Sequence, residues 1–259
     1  MLPPRFQGFI DAKEVAGKSP RTIEFYSWVL RRFDAYLAGR PVTDAEVVAF
    51  LATVRGATGT RAAYGRAVRA WARWSKLDLT VDWPKPPRPT PDALSNDEVN
   101  ALLEACFCVR DRALVTILTE VGLRRSELLA LDWSDVDWAN RRLRVRTSKT
   151  GPRFASFGSH TAEALQLIRH TDGPLFRTYK GRLTAAGLRQ VFRRLSARTG
   201  IKVTPHKFRR TAATRLANAG ASAVVLCAAM GWSSLSVASH YVVPDFSRVA
   251  QLQEAAWNM

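Results

Sequence analysis

Gly122-Leu123-Arg124-Arg125-Ser126-Glu127-Leu128 decides how the second half of this chain is read. Upstream of it, Leu114, Ile117, Leu118 and Val121 recur at helical spacing, and Gly122 supplies a stop. Arg124 therefore stands just past one helix and at the start of the next. A guanidinium presented at a buried helix end can hold the extra negative charge of a pentacoordinate phosphorus. Taken alone, the stretch reads equally well as an ion pair from Arg124 or Arg125 to Glu127.

Four further groups follow in order: Lys149, His206-x-x-Arg209, Gly231-Trp232 and Tyr241. After Trp133 to Trp138 the pattern turns to period two, with Leu143, Val145 and Thr147 alternating with Arg142, Arg144 and Arg146. Lys149-Thr150-Gly151-Pro152 then reads as a hairpin turn and Arg153 to Phe157 as the return strand. Lys149 at that tip is either a solvated turn residue or a proton donor to a leaving 5′ oxygen. His206 and Arg209, i and i+3 on the helix after Pro205, share one face. An arginine there binds a non-bridging oxygen while an imidazole positions or moves a proton; the alternative is a surface histidine that merely touches DNA. Tyr241 alone would be a half-buried core tyrosine. Beside a phosphate clamp its phenol becomes a nucleophile whose phosphodiester is stable enough to religate. A positioned acid or base supplies only about 10²–10⁴-fold, so several groups must act together. The ordered set needs no metal or cofactor.

Upstream, Trp83-Pro84-Lys85-Pro86-Pro87-Arg88-Pro89-Thr90-Pro91 holds five prolines from position 84 to 91, a semi-rigid linker that cannot be helix interior. It separates a domain over 1–83 from one over 92–259, with 84–91 between them. The first reads as all helix. Ser19-Pro20 caps a helix carrying Ile23, Tyr26, Leu30, Phe33 and Leu37, and Gly39 stops it. Thr43-Asp44-Ala45-Glu46 is a capping box. A third helix is expected from about Thr60 to Leu77, where Arg66, Arg69, Arg73 and Lys76 make one basic stripe, read as phosphate contacts over a solvated face. In the second domain, Ser95-Asn96-Asp97-Glu98 is another capping box, and helical periods return at Leu188, Val191, Phe192 and Leu195 and again after Pro205. The fold class is mainly α with a small β-sheet.

The 259 residues carry 39 basic against 22 acidic side chains, a net charge of +17, and 31 of the basic residues are arginine. That excess points to a polyanion, and the planar arginine fork suits phosphate. A membrane surface is disfavoured, since there is no long basic amphipathic helix, and the most apolar run, Ala219 to Trp232, is too short to span a bilayer. The N-terminus has no signal-peptide pattern. Cys106, Cys108 and Cys227 lack metal-ligand spacing and read as packing residues in a reducing cytosol.

With these residues the chain resembles the tyrosine recombinases, the integrase and Xer/Cre group, over nearly its whole length. The stretch around Ser19 to Tyr26 is similar to the family's helical, SAM-like core-binding domain, and the second segment to its α+β catalytic domain, the DNA breaking-rejoining fold. The resemblance implies that Arg124, Lys149, His206, Arg209 and Trp232 surround a scissile phosphate and that Tyr241 attacks it. It implies that Glu127 orients Arg124, and that Lys207 and Arg210 flank the histidine motif as DNA contacts. Tryptophan stands where histidine is most frequent; indole donates a hydrogen bond but cannot shuttle protons, so Trp232 is a positioning group. His240, beside the tyrosine, has no role implied by the resemblance. The expected partner is double-stranded DNA with inverted half-sites, bound by a dimer per site and a homotetramer at synapsis, with strands exchanged through a Holliday junction in the cytoplasm. The tail from Pro244 to Met259 is expected to pack on a neighbouring protomer. The start of the chain close to the helical domain implies a compact recombinase without an arm-site domain. A type IB topoisomerase-like enzyme and a catalytically idle DNA-binding regulator are the rival expectations.

Overall fold

The computed structural model describes residues 2–85, 92–146, 148, 151–241, 253–254 and 256–257. Lys149, the linker prolines from Pro86 to Pro91 and most of the tail after Tyr241 lie outside those residues. The chain divides into two compact units, Met1–Pro89 and Thr90–Met259.

The first unit is four helices: α1 (Pro4–Val15), α2 (Pro20–Leu37), α3 (Asp44–Thr53) and α4 (Thr58–Trp74). Ser19 Oγ accepts from the Thr22 amide at 3.3 Å, with Pro20 preset for the first turn. The Thr43 box forms only by half. Thr43 Oγ1 takes the Glu46 amide, but the Glu46 carboxylate turns to Arg40 at 2.8 Å. Helix α1, absent from the sequence expectation, buries Phe6, Phe9 and Ile10. Gly8 interrupts its pattern because a Cβ there would stand 3.0 Å from the Trp74 ring. Phe6 meets Trp71 edge-on at 4.7 Å, and Phe33 meets Phe50 at 4.9 Å. Such pairs add about 0.5–1.5 kcal/mol beyond the area they bury. Helix α4 ends at Trp74, three residues short of the expected end, and Lys76 follows at φ 55°. The stripe on α4 is therefore Arg66, Arg69 and Arg73, all exposed, without Lys76.

The second unit is built on α6 (Val109–Glu120), whose Leu114, Ile117 and Leu118 are fully buried. Around it pack α5 (Asn96–Glu104), α8 (Ser159–Leu167) and α10 (Pro205–Asn218). Ser95 and Glu98 form the full capping box at the start of α5. Helix α7 (Arg125–Ala130) leads to a three-stranded antiparallel sheet, β1 (Val136–Asp137), β2 (Arg142–Val145) and β3 (Arg153–Ser156), with Leu143 opposite Ala155 and Val145 opposite Arg153. The alternation in β2 holds: Leu143 and Val145 are buried, while Arg142 and Arg144 face out to Asp137 and Asp135. Strand β1, the two-residue strands β4 (Arg177–Thr178) and β5 (Gly181–Arg182), and α8 went unread, since the strands are too short for period two to register. Helix α9 (Ala185–Thr199) precedes α10, and α11 (Ala223–Met230) and α12 (Leu235–Ala238) follow it. Gly122 is held at φ +66°, and a Cβ on it would lie 2.8 Å from that of Ala212, so both the turn and the approach of α10 require glycine.

Of the cysteines, Cys106 is half-buried, and burial with Asp111 beside it pushes its thiol up to about 11. Cys108 is exposed, which corrects its reading as a packing residue.

Candidate active site

Arg124 caps α7 from outside the helix. Its amide donates to Glu127 Oε2 at 2.9 Å and its guanidinium to Oε1 at 2.6 Å, so the ion pair read from the sequence and the orienting role of Glu127 are one arrangement. The second guanidinium nitrogen crosses to the Gly231 carbonyl at 2.8 Å. Arg209, on α10 and only 6% exposed, donates to the Gly122 carbonyl at 2.8 Å and to the Met230 carbonyl. Burial, with Arg124 nearby, lowers its pKa to about 10, which leaves it charged at neutral pH.

A third arginine, unread as a site residue from the sequence, completes the cluster. Arg153 at the start of β3 donates to the Ala229 carbonyl at 3.0 Å and to Glu127 Oε2 at 3.0 Å. Arginines from β3, α10 and the α7 start thus serve three successive carbonyls, 229, 230 and 231, where α11 ends. Helix C-termini leave carbonyls unpaired and carry partial negative charge, so the cations neutralise it. Gly231, at φ +60°, ends the helix; a Cβ there would fall 2.5 Å from the Arg153 side chain. Glu127, 1% exposed, joins two of the three arginines. Burial pushes its carboxyl up, but the Arg124 hydrogen bonds and neighbouring Arg153 outweigh that and hold it below the usual range.

His206 stands one turn before Arg209, behind the Thr204 cap and Pro205. It is accessible at its edge, yet partial burial, with Arg210 and then Arg209 beside it, holds the imidazole below its ordinary value. Arg124, Arg125, Ser126, Thr204, His206 and Arg209 line an open cleft of about 340 Å³. From the Gly231 turn the chain runs through Trp232 and α12 to Tyr241. The Trp232 and Tyr241 rings stack at 5.2 Å and 22°, and the Arg209 guanidinium lies 5.7 Å from the Trp232 ring centre. His240 folds back onto the Ser236 carbonyl.

The structure therefore brings Arg124, Glu127, His206, Arg209, Trp232 and Tyr241 into one neighbourhood, and Lys149 lies outside the described residues. Lys207 departs from its expected DNA contact. Its ammonium pairs with Asp92 at 3.1 Å and Glu98 at 3.9 Å, and its side chain is 15% exposed. One residue along a helix is about 100° of rotation, which turns Lys207 away from the cleft and onto α5. Among the described residues no group of three His, Cys, Asp or Glu could hold a metal ion, and no helix is long and apolar enough to cross a membrane. Arg153 had a signal in the sequence. It shares the inward phase of β3 with Ala155 and Phe157, both buried, while Phe154 is 50% exposed.

The phage integrase family profile matches residues 92–248. A tyrosine recombinase XerA of Thermococcus kodakarensis is 29% identical, over 97% of this chain and 93% of its own. A crystal structure of XerA recombinase is similar at 25% identity and TM-score 0.52, covering 97% of each chain. A Tn1549 transposon integrase in complex with transposon right-end DNA matches at TM-score 0.74 and 18% identity, over 95% of this chain and 98% of its own. The chain belongs to the phage integrase family of tyrosine recombinases.

Proposed function

We propose that this protein is a site-specific recombinase that cuts duplex DNA through a 3′-phosphotyrosine on Tyr241 and rejoins it to a new partner strand. The Tyr241 oxygen bonds to phosphorus as the bond to the 5′ oxygen breaks. His206, its imidazole held below its ordinary value by burial and by Arg210, accepts the phenolic proton or orients it, and Lys149 protonates the departing 5′ oxygen. Arg124 and Arg209 hold the non-bridging oxygens while charge builds on them. Trp232 positions the phosphate and the tyrosine, and Glu127 fixes Arg124. Reversal by a 5′-hydroxyl from another duplex completes exchange through a Holliday junction. Dimers on inverted half-sites pair into a tetramer, and the residues after Pro244 pack on a neighbouring protomer. The unit over 1–83 grips DNA by phosphate contacts from Arg66, Arg69 and Arg73. Arg210 touches DNA beside the cleft.

The observation that carries the reading is the meeting of Arg124, His206 and Arg209 around one cleft, with the Trp232–Tyr241 stack against Arg209. A buried and a half-buried arginine, an imidazole and a phenol are the groups that phosphoryl transfer to tyrosine demands. Covalent trapping tests it. The protein is incubated with a nicked, fragmented DNA library, denatured in SDS, and the DNA left attached is sequenced, with Tyr241→Phe as control. Fragments converging on one inverted repeat, and absent with the variant, are expected. Diffuse adducts would instead mark a topoisomerase-like nicking-closing enzyme, and tight binding without adducts a DNA-binding regulator.

A further inference from the structure

Arg153 is a buried cation that the mechanism above does not use. Its side chain is 10% exposed, it does not line the cleft, and its Nε is buried without a partner. A guanidinium is costly to bury unless its geometry is put to use. Here one planar fork bridges the start of α7 and the end of α11, as Arg124 also does and as Arg209 does from the Gly122 carbonyl. One nitrogen holds Glu127, the carboxylate that fixes Arg124 at the start of α7. The other holds the Ala229 carbonyl in the last turn of α11, from which Trp232 and Tyr241 are hung. The pairing of Val145 with Arg153 anchors this fork to the sheet.

The positions of the three arginines assign them different work. Arg124 and Arg209 line the cleft and are free to exchange a backbone carbonyl for a phosphate oxygen. Arg153 does not line the cleft, so its hydrogen bonds to the Ala229 carbonyl and to Glu127 need not be given up when the other two turn to a phosphate. We propose that Arg153 is a positioning residue for strand cleavage, holding the clamp side of the site and the tyrosine side in fixed register. This rests on the reading of Tyr241 as the nucleophile. Gly231 belongs to the same device, since any side chain there would displace the Arg153 fork.

Arg153→Lys and Arg153→Met in the full chain test the proposal by two independent readouts. The first is amide hydrogen exchange, read without DNA or cleavage. Exchange is expected to rise about tenfold or more in peptides spanning 124–130 and 226–241, and to stay at the wild-type level in the α5–α6 core. The lysine variant keeps a cation beside Glu127 but cannot bridge two acceptors with a planar fork, so it is expected to fail in the same direction, more mildly. The second readout is adduct formation on the nicked DNA library against non-covalent retention of the same library. The adduct rate at saturating DNA is expected to fall about ten- to a hundredfold, with retention within about threefold of wild type. Unchanged exchange in 226–241 would overturn the proposal, as would a rise spread evenly over 92–241, or parallel losses of binding and cleavage. If the wild type itself forms no adduct, the reading of Tyr241 fails, and the exchange data separate that failure from a failure of Arg153 to hold the segment.

Discussion

The arginines of α4 and those at the end of α11 are the same residue put to opposite use. Arg66, Arg69 and Arg73 stand exposed on one helical face, with Arg69 lying 5.9 Å from the Trp83 ring centre as its one aromatic neighbour among the described contacts. Arg124, Arg153 and Arg209 are drawn inward, bound to carbonyls and to Glu127. Exposed cations act through screened, long-range attraction and leave geometry undefined. Buried ones are fixed in place and act strongly over short distances, because the surrounding medium screens them poorly. The first kind suits affinity for a polyanion of any sequence. The second suits a charge that must be met at one point in space.

Three substitutions would break or sharpen that contrast. The largest effect is expected from Arg209→Ala, which removes the proposed clamp on the phosphate and leaves the Gly122 and Met230 carbonyls without the guanidinium. Single-turnover adduct formation should fall about a hundred- to a thousandfold, and thermal unfolding should register a cost of about 1–3 kcal/mol for each orphaned carbonyl. A loss of binding with no loss of rate would erase the distinction between the two sets. The triple change Arg66→Ala, Arg69→Ala, Arg73→Ala should do the reverse. DNA affinity falls, and the slope of log affinity against log salt flattens by roughly 2.7, about 0.9 for each lost phosphate contact. The adduct rate at saturating DNA stays at the wild-type level; titration by filter retention over a salt series reads both. The smallest effect belongs to Arg210→Ala. Since Arg210 helps to depress His206, the wild-type cleavage rate should hold as pH falls and drop only below the ordinary histidine range. Without Arg210 the imidazole takes up its proton at higher pH, so the midpoint of the acid limb moves upward. An unmoved limb would remove His206 as the group that sets it.

The amount of this that could be read from the sequence varied with the kind of signal. Helix starts were legible where a polar cap preceded a periodic run, as at Ser19 and Ser95. The cap is a local hydrogen bond that needs nothing from the rest of the fold. Glu46 shows the limit: its sequence spelled a reciprocal box, but Arg40, six residues away, took the carboxylate. Arg124, His206, Arg209, Trp232 and Tyr241 were named by order and spacing and stand in one neighbourhood, although nothing in spacing says that Arg124 and Arg209 would seek carbonyls 231 and 230. That Lys207 pairs with Asp92 and Glu98 could not be read from the sequence, because adjacency in sequence is not adjacency on a helix. Arg153 shares its strand phase with Ala155, but an arginine in a short strand reads as solvated, and its register opposite Val145 shows that it turns inward. Helix α1 was missed because Gly8 weakens its pattern for the sake of a contact with Trp74, which only the tertiary structure reveals.

On the reading of Arg124 and Arg209 as the phosphate clamp, the Met230 and Gly231 carbonyls already occupy the places where a bound oxyanion would draw those two arginines. The resting site is therefore electrically closed, and ligand entry is an exchange of acceptors. A small free anion would have to displace those carbonyls unaided, at a helix end that is well satisfied. A duplex arrives with many phosphates at once and can offset the exchange with contacts made elsewhere along its length. The backbone thus stands as an internal competitor for the arginines, one that many contacts made at once offset better than a single contact.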